Sequence, residues 1–125
     1  MAQVPLNKFV RASSAVTTTL TQVYSAPVDT AAIMLTVLAA NITSNPQTIS
    51  LGVSGNGDGL GNIPPKPFFY IVKDFTLSPN DVTNLAVGKI VIDNYDCIIA
   101  SCNNNNTIDL TLSILETLNT STITE

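Results

Sequence analysis

Nine carboxylates, two thiols and no imidazole are what this 125-residue chain offers to reaction chemistry. The absence of His removes the commonest general base and both the Ser-His and Cys-His nucleophile pairs. The acids are Asp29, Asp58, Asp74, Asp81, Asp93, Asp96, Asp109, Glu116 and Glu125, most of them in turn-like sequence or at strand ends, where carboxylates cap or are solvated. Asp93 and Asp96 are close enough for a weak cation site or a carboxylate pair, but turn chemistry accounts for them more simply. Four glycines between residues 55 and 61 surround Asp58. That loop lacks the Lys-Ser/Thr ending of a P-loop and the several acids of a calcium loop, so it reads as a hairpin tip able to reach a neighbouring subunit.

Cys97 and Cys102 are five residues apart. On one extended strand they point to opposite faces, roughly 16 Å apart, well beyond disulfide reach without a tight bend. Two buried free thiols are expected, and two Cys without His make a structural zinc site improbable. No catalytic, cofactor-binding or metal site is assigned, and the chain is not expected to be an enzyme.

The elements that would carry any function are strands. Residues 89–116, KIVIDNYDCIIASCNNNNTIDLTLSILE, read as two or three successive antiparallel strands joined by polar turns. Ile108, Leu110, Leu112 and Ile114 lie on one face of the last, with Thr107, Asp109, Thr111 and Ser113 on the other. Residues 17–24 are rich in β-branched side chains, and Pro27 follows as a strand end. Residues 31–42 have helix-compatible composition, yet their apolar faces and strand-like flanks predict a long central strand buried on both sides. Asn45-Pro46 then turns the chain into residues 47–54, and this pair looks like a hairpin. Residues 55–65 form a loop, residues 68–77 a strand, residues 78–81 a turn, and residues 82–87 a short strand. Phe68, Phe69 and Tyr70 are consecutive, so either their strand is central between two layers, the favoured reading, or one ring marks an intersubunit patch. Turns every eight to twelve residues point to an all-β sandwich, Ig-like or jelly-roll, as a single domain over residues 16–118. Residues 1–15 form an extended N-terminal arm or a late-laid strand, and residues 119–125 a tail.

Composition narrows the class. The apolar share is 45%, ordinary for a globular protein, but only 11% of residues are charged, against roughly 25% usually. Thr, Asn and Ser fill the gap, which suits a surface covered by neighbours in an assembly. A net charge of −4 with five scattered cations, Lys8, Arg11, Lys66, Lys73 and Lys89, argues against nucleic acid. No run approaches a membrane helix, and the polar first residues do not resemble a signal peptide, so assembly in a cytoplasm is the expectation. Asn41, Asn105 and Asn119 begin glycosylation-type triplets, read as chance.

Over about residues 23–117 the chain resembles small virion proteins of tailed bacteriophages. The likeness lies in VYSAPVDTAAIML, in YIVKDFTLSPNDVTNL and in the closing pattern. That pattern runs as a strand (89–92), an acidic turn (93–96), a strand of small apolar residues (97–102), a polar turn (103–106) and a final Ser-x-Leu-Glu (113–116). The two Cys and the Gly-rich insertion before Pro64 depart from it. The resemblance implies a β-sandwich that acts by adhesion: a structural virion protein, first of all a capsid cement or decoration protein, alternatively a neck, tail or baseplate component. It implies the major capsid protein or other virion proteins as partners, with self-association as a trimer or dimer. The contact residues expected are Lys8, Phe9 and Arg11 in the arm, Asp58, Leu60 and Ile63 in the loop, and the exposed one of Phe68 and Phe69. A carbohydrate-binding sandwich is the reading from another class, disfavoured because there is no Trp to serve as a sugar platform.

Overall fold

A computed structural model of the protein describes residues 7–55, 67–93 and 95–118. They form nine strands: β1 (Asn7–Ala15), β2 (Thr21–Ser25), β3 (Thr30–Asn41), β4 (Gln47–Gly55), β5 (Phe69–Leu77), β6 (Val82–Asn84), β7 (Ile90–Ile92), β8 (Asp96–Cys102) and β9 (Ile108–Leu118). One sheet runs β1-β9-β3, with β6 and β7 both paired to the far side of β3 (sheet A); the other runs β2-β8-β4-β5 (sheet B). All pairings are antiparallel. If β6 and β7 count as one strand interrupted near Gly88, whose φ is 110°, the order is that of a double Greek-key jelly roll. The all-β sandwich expected from sequence is therefore the fold, in its jelly-roll form.

The clean alternation of β9 does what its period predicts. Ile108, Leu110, Leu112 and Ile114 are buried against Met34, Val37, Ile49, Leu51 and Ile98, in one core between the sheets. Residues 30–41 are a strand, central in sheet A, but only one of its faces is fully buried. A bulge between Met34 and Thr36 shifts the phase, so Ala32 and Met34 point inward before it and Val37 and Ala39 after it. Because the inward set changes parity, neither parity looks polar in sequence, which is why the strand reads as buried on both sides.

Two further expectations are corrected. Residues 31–42 and 47–54 do not form a hairpin: β3 lies in sheet A and β4 in sheet B. Likewise β7, β8 and β9 follow one another in sequence but alternate between sheets, so the four-Asn turn is an arch and not a hairpin. Among consecutive strands only β4 and β5 pair with each other. Polar turns of five or so residues suit an arch as well as a hairpin, whereas tight two-residue turns would have forced pairing.

The N-terminal arm is also a strand for most of its length. Residues 7–15 pair with β9 in unbroken register from Asn7↔Thr117 to Ala15↔Asp109. Val10 and Ala12 pack on the core edge. Removing residues 1–14 would thus strip an edge strand and open β9 to solvent, and circular dichroism should report a much less stable domain.

Candidate functional site

At one end of the sandwich an ionisable cluster bridges the sheets. Glu116 continues the inward phase of β9, and Tyr24 on β2 faces it from sheet B. The Tyr24 hydroxyl donates to Glu116 Oε2 at 2.5 Å, and both residues are buried. Lys8, opposite Glu116 on β1, places its Nζ 3.8 Å from Oε1 while its own side chain is mostly in water. Burial, reinforced by the hydrogen bond and the negative charge of Glu116, pushes the Tyr24 phenol well above its ordinary value. A phenol held protonated in this way is a poor proton-transfer group near neutrality, so the pair works as a tie between sheets. Beside it lies an open cleft of about 500 Å³, bounded by Asn7, Lys8, Pro27, Val28, Thr30, Glu116 and Leu118.

The opposite end is closed by neutral amides. Asn41, buried at the end of β3, has its Nδ2 within 2.8 Å of the Asn45 carbonyl and 3.2 Å of those of Leu77 and Ser78. Its Oδ1 accepts from the Thr43 amide and hydroxyl. The network continues through Gln47 to Thr43 and from Asn104 to Gln47. Asn103 accepts from the Thr48 amide and Asn105 from the Thr18 amide, while Asn106 adopts the left-handed conformation (φ 63°) that Asn tolerates. The four-Asn run is thus used residue by residue to fasten an arch. Asn41, buried and fully bonded, has no free amide for a glycan.

The expected contact residues fall in separate places. Phe9 and Arg11 stand on the outer face of sheet A, opposite Leu115 and Ser113, and Phe9 is 79% exposed. Lys8 lies on the same strand but faces the cluster at Glu116. Asp58, Leu60 and Ile63 lie outside the described residues. β5 is an edge strand and not a central one, which corrects the favoured reading of its aromatic run. The Phe68 ring covers Gly52, where a Cβ would collide with it, and meets Tyr70 edge-on at 4.7 Å. Phe69 is the exposed one.

Asp93 and Asp96 make a turn: the Asp96 amide donates to the Asp93 carbonyl, and the Asp93 amide to the Asp96 carboxylate. Cys97 and Cys102 are free and buried on opposite faces of β8, Cys102 in the core and Cys97 beneath Gln22. Among the described residues no group of three or more acidic or thiol ligands comes together.

Two features escaped the sequence reading. The Tyr24–Glu116 tie had a signal, since Glu116 is in step with the inward residues of β9. The outer row of sheet A, where Ile33, Leu115 and Val91 lie side by side with Phe9, had none, because it depends on which strands pair.

No family model matches the chain, and no curated protein matches it. One solved structure that is similar is described as "Bacillus endospore appendages form a novel family of disulfide-linked pili". It shares 12% identity over 94% of this chain and 97% of that one, with a TM-score of 0.45. So loose a likeness says nothing about what this chain binds or builds.

Proposed function

We propose that this protein is a non-enzymatic structural subunit of a repetitive protein assembly, acting through the contacts its surface makes. One observation carries the reading. Phe9, Phe69, Val82, Val87 and Val91 are each more than half exposed, in a chain with only 11% charged residues. A monomer that must stay dissolved alone normally surrounds such side chains with charge.

Within that class, the closing pattern of residues 89–116 supports a place in the particle of a tailed phage, as a cement or decoration protein on the capsid. A jelly roll is compatible with that role, although the fold alone assigns no function. The mechanism is mass action: a subunit that binds only the assembled shell stabilises it by its contact free energy. Quantitative mass spectrometry of purified particles tests it. Cement is present on the order of hundreds of copies and a neck protein in about a dozen, as the symmetry of each location requires. Absence from particles would refute the virion placement.

A further inference from the structure

We propose that the outer face of sheet A is a homotypic interface, packed against the same face of a second copy about a two-fold axis. The inference rests on the reading above that the surface serves assembly, and it names the partner of one face. The two outer faces of the sandwich differ. That of sheet B covers itself: Phe68 lies over Gly52, the Asp74 amide donates to the Ser50 hydroxyl, and Gln22 lies over Cys97. That of sheet A has a side-chain hydrogen bond at its end, Thr117 to Asn7, but its apolar row stays open at both ends. Its registers set Phe9, Leu115, Ile33 and Val91 in one straight row across β1, β9, β3 and β7. The ends of the row are the most open, with Phe9 at 79% and Val91 at 66% exposed.

Three properties point to a second copy as the occupant. First, a row lying across the strands is complementary to itself. A two-fold axis parallel to the strands, midway between two such faces, sets Phe9 over the partner copy's Val91 and Leu115 over its Ile33. Second, the strand residues of this face carry only two charges, Arg11 and Asp109, and Lys89 and Asp93 beside β7 add one of each sign, so the face has no net charge to set against its own copy. Third, the size fits. Three strands of nine to twelve residues, with the three-residue β6 and β7 flanking β3, about 4.8 Å apart, make a face of roughly 500 Å² in projection, before side-chain relief is added. A stable interface takes roughly 800 Å² from each partner. Stacked sheets about 10 Å apart would interdigitate the two rows much as in a sandwich core.

The experiment is sedimentation of the full-length protein over a wide concentration range, with Val91→Lys, Phe9→Lys and, on the other sheet, Phe69→Lys. Folding of each variant is checked by thermal melting. The expected result is a dimer that Val91→Lys and Phe9→Lys each weaken at least tenfold and that Phe69→Lys leaves unchanged. A wild-type protein that stays monomeric at hundreds of micromolar would overturn the proposal. So would a dimer indifferent to both sheet-A variants, or one equally sensitive to Phe69→Lys. A monomer that still occupies particles would overturn this interface and leave the assembly reading standing; a dimer absent from every particle would do the reverse.

Discussion

At the Asn41 end of the sandwich the arches are joined by neutral amides with every described partner in place. At the Glu116 end two ionisable side chains and a loosely held ammonium span the same gap. Neutral buried hydrogen bonds are indifferent to pH and salt, and their loss leaves carbonyls stranded. A buried phenol–carboxylate pair with a solvent-exposed ammonium beside it responds to both. One end is a fixed clamp and the other can be tuned by solution conditions.

The comparison can be broken most severely at the clamp. Asn41→Leu would remove a donor from the carbonyls of Asn45, Leu77 and Ser78, of which Asn45 keeps the Thr43 hydroxyl and Ser78 the Asp81 amide, and strip the Thr43 amide of its acceptor; it should cost about 2–4 kcal/mol in a denaturant titration. A cost below about 1 kcal/mol would mean that the arches hold themselves. At the other end, Tyr24→Phe removes one cross-sheet bond and leaves Glu116 buried with less support, for a loss of about 1–3 kcal/mol.

The pH response sharpens the contrast. The Tyr24 phenol is raised in the folded state, so the proton is held more tightly there than in the unfolded chain. Its contribution is complete below the unfolded value of about 10 and is lost as pH rises above it, by about 1.4 kcal/mol per unit. Thermal melts between pH 9 and 11 should show this drop in the wild type and a smaller one in Tyr24→Phe, while Asn41→Leu should keep the wild-type slope. The smallest effect belongs to Lys8. Because its ammonium is largely in water, Lys8→Met should change stability by no more than about 0.5 kcal/mol, less still in high salt.

The two ends also differ in how legible they were. β9 announced its inward face, and Glu116 kept the same parity, so one half of the tie could be read directly. Its partner could not, because Tyr24 reaches it only once β2 is assigned to the opposite sheet. Asn41 was visible as part of an Asn-Ile-Thr triplet, yet its three carbonyl partners come from two separate turns. Turn residues such as Asn45-Pro46 and Asn103 to Asn106 mark where the chain bends, not whether it returns to its own sheet. Hence the strands were largely recoverable and their pairing was not. The Phe-rich stretch leading into β5 misled for a related reason: Phe68, just before the strand, is half-buried by folding over a glycine, and a central position is not needed.

The pairing of β1 with β9 has a consequence in time. The hydrogen bond between Thr117 and Asn7 joins residues 110 positions apart, so β1 must wait for β9. At roughly 5–20 residues per second, β1 leaves the ribosome some 5–20 seconds before its partner exists. Throughout that interval Phe9 and Val10 have no sheet to join, and sheet A cannot close until residues 108–118 have emerged. Sheet A is therefore completed late, through slow, non-local contacts. A chain stalled before residue 108 would display an orphan strand to any neighbour on the same message.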